Sequence, residues 1–308
     1  MKKRFIVSID LGGTNLKVAL LDLKYRIIDR QILNTRSLHK KDNLIAKIAG
    51  ASLDIINCNG LSKKNILGVG LGLPGPIDVR RGLVHFFPNI PGWKEVNLKR
   101  ILERRLSLPV FLDNDANLMC LAEYRLGAAR KATNALCLTL GTGVGGGMII
   151  NSTLYRAMSF AAGEIGHLPI NENGPRCNCG GTACLETYIG NKRIIKKAKR
   201  IFRRHISLEE LSILAKRKNK AAIKIWSEVG RHLGKALVGV VNLLNPDCIV
   251  IGGGLANAGE ILFDRVKEII AKQAMRTQAQ HVKIFKARLG SDAGLIGAAI
   301  LVKEKGKV

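Results

Sequence analysis

Glu164 to Glu186, EIGHLPINENGPRCNCGGTACLE, places His167, Cys177, Cys179 and Cys184 in one loop-rich stretch bounded by two carboxylates. One imidazole and three thiols are donors that tetrahedral zinc prefers. A Cys3His set completes the shell with no position for water, so the expected metal is structural. The competing reading is a chance cluster, or one disulfide with a thiol left over. Gly174, Pro175, Gly180 and Gly181 favour the metal, because they supply the turns that let neighbouring ligands converge. Such a metal would fix Glu164 and Glu186 in space, as a polyhydroxylated ligand requires.

Two glycine turns carry phosphate chemistry. Asp10, Gly12, Gly13 and Thr14 follow a first apolar run, and Gly141, Thr142, Gly143, Val144 and Gly145 repeat the pattern later. Glycines let backbone amides approach an anion, and a threonine hydroxyl can bond a phosphate oxygen. Taken singly, each turn is an ordinary hairpin; paired, they imply the phosphates of one nucleotide, with Asp10 suited to Mg2+ directly or through water. A third cluster, Gly252, Gly253 and Gly254, could pass under an adenine or ribose, or simply let a helix pack on a strand.

PVFLDND supplies the candidate base: a carboxylate at a strand end can accept the proton of a substrate hydroxyl as its oxygen attacks phosphorus. Strand alternation puts Asp113 and Asp115 on one face with Asn114 opposite, unless the strand already ends. The residues alone do not choose between them. Asp115 could also be no more than the cap of a helix starting at Ala116.

The elements that must position these groups read as α/β. RFIVSID, LKVALLDL and RIIDRQIL predict strands, Asp42–Ile56 a helix, ILGVGLGLP a strand ending in a proline turn, and Glu95–Leu106 a helix. ALCLTLGTGVGGGMIIN predicts two strands that echo VSIDLGGTNLKVALL, which suggests duplicated halves. The chain is then mainly helical from Asn191 to Leu244. Two further strands lie at CIVIGGGLA and VKIFKARL, and a last helix, Ala293–Val302, should return to the first half. Hinges are expected near Leu126–Lys131 and Gly290.

The 308 residues, 47% hydrophobic with 33 glycines, suffice for two domains sharing a cleft. The basic start, MKKRFIVSIDLGG, has its apolar run broken at Asp10, so a signal peptide is not expected, and no run nears the roughly 20 apolar residues that span a bilayer. Seven cysteines without a regular framework fit a reducing cytoplasm. The net charge of +27 would attract polyanions, yet fifteen lysines and arginines against three glutamates fall between Asn191 and Lys235, on segments that read as solvated amphipathic helices. With four tyrosines and two tryptophans there is no aromatic interleaving, so specific nucleic-acid binding is not expected.

DLGGTN (Asp10–Asn15), LGLPGPID (Leu71–Asp78), PNIPGW (Pro88–Trp93), DNDAN (Asp113–Asn117), GTGVGGG, EIGH, CNCGGTACLE and IVIGGG occur in the order seen in ROK sugar kinases, and the chain resembles that family nearly end to end. The resemblance implies two actin-like, ribonuclease H-like α/β domains around a central cleft with a zinc-binding loop. One would comprise 1–127 plus 290–308, the other 128–289. It implies Asp115 as general base. It also implies a sugar site of Asn89, Asn114, Asp115, Glu164, His167 and Glu186, with zinc on His167, Cys177, Cys179 and Cys184. ATP and Mg2+ would be held at Asp10, Gly12, Gly13, Thr14, Thr142, Gly143, Gly253 and Gly254. The implied activity is an ATP-dependent hexokinase, a glucokinase first of all, with an N-acetylhexosamine kinase or a fructokinase as alternatives and polyphosphate as another donor. A homodimer or homotetramer is also implied. Family repressors carry a helix-turn-helix region before the first phosphate motif; here nine residues precede Asp10, which argues against that role. Two departures stand out: Ala183 replaces a usual glycine, and Ile189–Gly190 replaces serine-glycine, where Ile189 would reshape the pocket wall.

Overall fold

The computed structural model describes residues 4–13, 15–35, 40–87 and 93–306. In chain order the first elements are β1 (Phe5–Leu11), β2 (Asn15–Asp22), β3 (Ile27–Asn34), α1 (Lys41–Cys58), β4 (Ile66–Leu73) and β5 (Ile77–Asp78). They continue with β6 (Leu83–Phe86), β7 (Lys94–Val96), α2 (Leu98–Leu106), β8 (Val110–Asn114) and α3 (Asp115–Leu126). There follow β9 (Ala135–Leu140), β10 (Val144–Ile150), β11 (Thr153–Tyr155), α4 (Glu186–Ile189), α5 (Asn191–Phe202), α6 (Leu208–Lys216) and α7 (Lys220–Leu244). The chain closes with β12 (Cys248–Gly252), α8 (Glu260–Gln273), α9 (Arg276–His281), β13 (Lys283–Lys286) and α10 (Ala293–Lys305).

Two five-stranded mixed sheets dominate, in the orders β3-β2-β1-β4-β8 and β11-β10-β9-β12-β13. Each opens with an antiparallel meander and adds two parallel strands beside its first strand. Shared topology is what the echoed glycine turns led us to expect. The central strands are buried along nearly their whole length, as β4 and β12 show, because helices cover them.

The chain divides into two compact units: residues 1–122, Arg156–Ala162 and 291–308 in the first, Glu123–Tyr155 and Gly163–Gly290 in the second. In the first, Leu295, Ala299 and Val302 of α10 pack with Ile6, Ala19 and Leu21. In the second, α7 buries a face that includes Trp226, Leu233 and Leu237. Arg156–Ala162, which the expected boundaries put in the C-terminal part, groups with the first unit. The helix expected from Glu95 begins only at Leu98: Asn97 caps it, its side chain accepting from the Arg100 amide, while Glu95 lies in β7 opposite β6. Among the described residues no helix is long and apolar enough to cross a membrane.

Candidate active site

The DNDAN motif sits at the junction of β8 and α3, so the strand does end before alternation reaches Asp115. Asp113 is fully buried. Its Oδ1 accepts from the Asn114 amide at 2.8 Å and from Asn117 Nδ2 at 3.0 Å. Its Oδ2 accepts from Arg156 Nε at 2.8 Å and again from the same guanidinium's Nη2. A carboxylate committed on both oxygens and sealed from solvent is a scaffold, not a base. Asn114 takes the capping role, its Oδ1 accepting from the amides of Ala116 at 2.9 Å and Asn117 at 3.3 Å, while Nδ2 donates to the Gly75 carbonyl at 3.3 Å. One Nδ2 hydrogen is therefore what Asn114 keeps for a ligand. Asp115 heads the helix, with Oδ1 accepting from the Ala116 amide at 2.8 Å.

In the second unit, Glu164 and His167 bracket a single 3-10 turn, Ile165–His167, laid against β10. Glycines make that approach possible: a Cβ on Gly146 would stand 2.5 Å from the Gly163 carbonyl, and one on Gly166 would stand 2.2 Å from the Val144 carbonyl. One donor atom each from His167, Cys177, Cys179 and Cys184 lies within 4.8 Å of the others. Cys177 Sγ is 3.6 Å from His167 Nδ1, and Cys179 Sγ is 3.7 Å from Cys184 Sγ. Ligands at about 2.0–2.3 Å around tetrahedral zinc stand roughly 3.5–3.8 Å apart, so these spacings suit that ion. All seven cysteines are free thiols in the structure. Burial, reinforced by hydrogen bonds with Cys179 and Cys177, pushes the Cys184 thiol up to about 12, whereas the Gly181 amide and Cys177 lower that of Cys179. Crowded thiols of this kind ionise together only when a cation is among them.

His167 presents its other nitrogen, Nε2, 3.9 Å from Glu164 Oε2. Partial desolvation raises Glu164 above the usual carboxylate value, opposed by His167 and reinforced by Glu186. Glu186 starts α4 and accepts on Oε2 from the Val144 amide at 2.8 Å. A Cβ on Gly143 would lie 2.5 Å from that same oxygen, so this glycine is required by the glutamate. The turn is held from its other side by the Asn191 amide donating to the Gly141 carbonyl at 3.0 Å. Thr142 at its tip is exposed.

At the first turn, Asp10 and Lys17 face each other across β1 and β2, with Nζ 3.3 Å from Oδ2 and also donating to the Ser291 carbonyl. Gly12 and Gly13 are exposed and the Gly12 amide donates to the Asn15 carbonyl at 2.9 Å. Thr14 and Asn89 lie outside the described residues. Gly253 has φ +82, and a Cβ there would meet the Leu140 carbonyl at 2.2 Å; Gly254 faces open space. Packing against β9 thus accounts for Gly253 without any ligand.

The sequence pattern of the ROK family matches residues 6–305. The chain belongs to the ROK family. It is 35% identical to the glucokinase of Halalkalibacterium halodurans over 99% of this chain and 97% of that one. A ROK family glucokinase from Streptomyces griseus, solved with glucose and AMPPNP, superposes with TM-score 0.85 at 29% identity, covering 97% of this chain and 99% of that one. The Bacillus subtilis xylose repressor is 28% identical over 98% of this chain, which covers 77% of the repressor.

Both departures from the family pattern now have addresses. Ala183 carries φ +56, a left-handed conformation that an L side chain resists. Ile189 does not line a pocket wall: it is fully buried in the core of the second unit, because α4 turns it inward against Leu185 and Ile194. Arg156 and Glu123 escaped the sequence reading. Arg156 lies 43 residues from the aspartate it holds and in no motif. Glu123, a lone acid in the apolar run ANLMCLAEYRL, is fully buried, and that break in apolarity was the one available signal.

Proposed function

We propose that the protein is an ATP-dependent hexokinase, glucokinase in the first instance, that transfers the γ-phosphoryl group to the sugar 6-hydroxyl. What carries the reading is the placement of DNDAN: Asp113 is bound by Arg156 and Asn117, Asn114 caps the helix, and Asp115 heads α3 at the end of β8, where a general base would meet a substrate hydroxyl. Asp115 takes the hydroxyl proton as the oxygen attacks phosphorus. Glu164, His167 and Glu186 accept or donate to ring hydroxyls, with Asn114 contributing its remaining Nδ2 hydrogen. A site built from such bonds rejects sugars that lack them.

The turns at Gly13 and Thr142–Gly143 would offer backbone amides to the ATP phosphates, the Gly12 amide being used to close the first hairpin. Asp10 is a hard oxygen donor suited to Mg2+, which when bound neutralises charge on the transferring phosphoryl group, and Lys17 would have to share the carboxylate. The Cys3His donor set fits a structural zinc that freezes Glu164 and Glu186; metal analysis of purified protein should return about one zinc per chain. The deciding assay compares ATP-dependent rates on glucose, N-acetylglucosamine, N-acetylmannosamine, mannose and fructose. A preference for an N-acetylated sugar or fructose replaces glucokinase by that kinase, and no turnover on any of them sinks the proposal. Activity with polyphosphate in place of ATP would change the donor but not the role of Asp115.

A further inference from the structure

The +27 charge is not spread evenly in its consequences. Along α5 to α8 a few cations are matched, as in Lys197–Glu228, Arg204–Glu210, Arg265–Glu268 and Lys272–Glu268, and the rest are spread along the helices. A different arrangement occurs in the second unit where the loop after α3 meets the end of β13. There Arg130, Lys131, Lys286 and Arg288 line a cavity of about 460 Å3, floored in part by Leu126 and Phe285. Among the described residues none of these four cations is in an ion pair. Lys286 reaches only the neutral Asn257 side chain, at 3.1 Å.

The walls of this cavity are fixed from behind. Glu123, fully buried, accepts on Oε2 from the Ala128 amide at 2.7 Å, and on Oε1 from the Arg288 and Leu289 amides at 2.9 and 2.8 Å. One carboxylate therefore ties together the two segments that present the cations. Its charge is spent on three backbone amides, and no cation of the cavity pairs with it. Four exposed like charges around one cavity raise the local positive potential, which a bound anion would relieve. Arginine forks and lysine points are the groups that grip phosphate oxygens, and phosphates linked in a row let several cations act on one ligand.

We propose that this cavity is an oligophosphate-binding site, built from none of the residues assigned to ATP or sugar. The oligophosphate group comes either as a free inorganic chain or carried by a nucleotide, whose base would lie on the exposed face of Phe285. Because the cavity lies on segments of the second unit close to two of the four places where the chain passes between units, near residues 123 and 290, a bound anion would bridge those two segments.

Calorimetric titration of the full chain tests this at physiological ionic strength, with glucose, magnesium and a non-hydrolysable ATP analogue saturating the kinase site. Tripolyphosphate should bind at one site per chain. The double variant Arg130→Gln, Lys286→Gln should weaken it at least about tenfold, while Lys196→Gln, Lys199→Gln on α5 leaves it unchanged. Both variants should keep the parent turnover with glucose. GTP binding ten times tighter than tripolyphosphate, with the gain lost in Phe285→Ala, identifies a nucleotide as carrier; equal affinity identifies the free chain. No heat with tripolyphosphate overturns the proposal. So does equal weakening by the α5 variant, which would mean a diffuse field, or tighter binding of a short single-stranded RNA spread over several sites. None of these outcomes bears on Asp115 or the sugar assay.

Discussion

The proposed site acid of the first unit stands on regular structure, whereas Glu164 of the second lies in an irregular segment that zinc on the four donors would cross-link. Asp115 stands where β8 becomes α3, and its neighbours do the holding: Asp113 is clamped by Arg156 and Asn117, and Asn114 caps the helix. From Glu164 to Leu185 the chain has one 3-10 turn and two isolated bridges, Pro169 with Cys184 and Arg176 with Thr182. Backbone bonds tie the two ends of this irregular segment, the Leu185 amide to the Leu168 carbonyl at 2.9 Å and the Ile170 amide to the Ala183 carbonyl at 3.0 Å. On the proposed reading, zinc on the four-donor cluster adds a cross-link there, beside Glu186 accepting from the Val144 amide. The first unit should therefore fail by losing chemistry or its buried pair, and the second by losing affinity for sugar.

The largest effect expected is in the first unit. Asp115→Asn should lower kcat about a thousandfold while glucose binding, followed by calorimetry, stays near the parent value. Near-normal turnover would mean that the division of labour in DNDAN has been misassigned. Next comes the clamp. Arg156→Ala leaves a fully buried carboxylate without its cation and should cost about 3–5 kcal/mol, seen in chemical denaturation. Adding Asp113→Asn should recover a large part of that loss; if it does not, Arg156 acts by packing and not by charge.

How these supports came to light differs as well. Strands, helices and glycine turns were legible because periodicity and turn chemistry are local, and so was the convergence of the Cys3His donors, which lie within 18 residues of one another. Arg156 and Glu123 were not, since a salt bridge across 43 residues or an amide contact across 165 leaves no spacing to read. The glycines were readable as glycines but not as to cause. Gly143 yields to Glu186 and Gly253 to the Leu140 carbonyl, reasons that only packing discloses. The late start of α2 has the same origin, since pairing of β7 with β6 overrides helix propensity at Glu95.

Behind α4 the second unit carries a titrating buttress. His232 stacks on Tyr188 at 4.7 Å between centroids, with Arg231 and Glu228 beside it and Lys197 and Lys235 nearby. Burial above all, then Arg231, depresses its pKa from 6.5 to about 4. An unfolded chain thus binds this proton more readily than the folded one between those values. Stability is complete above pH 6.5 and is lost as pH falls toward 4, by at most about 3 kcal/mol. His232→Gln should flatten the acid limb of a pH–stability curve relative to the parent. An unchanged limb would assign the loss to other groups.

Smaller again is the effect of loosening the cross-link while the fold persists. Cys179→Ser should raise KM for glucose about ten- to hundredfold with a lesser change in kcat, and should lower zinc content. A fall in kcat at constant KM would erase the contrast between the units, because the second would then also be holding chemistry.

The finest test lies inside the cross-linked segment, at Ala183. Its left-handed backbone costs about 1–2 kcal/mol relative to glycine, the residue usual in the family there. Against that, its methyl is fully buried, worth about 0.8 kcal/mol. The methyl also has a counterpart: a Cβ on Gly174 would come within 2.8 Å of the Ala183 Cβ and 2.1 Å of the Tyr188 hydroxyl, so Gly174 has given up the space that Ala183 occupies. With strain and packing so nearly balanced, Ala183→Gly should stabilise the protein by only about 0.5 kcal/mol. Destabilisation by 1 kcal/mol or more would show that packing between Gly174 and Ala183 outweighs backbone strain. The segment would then be held by its own small-residue contacts as much as by its four donors.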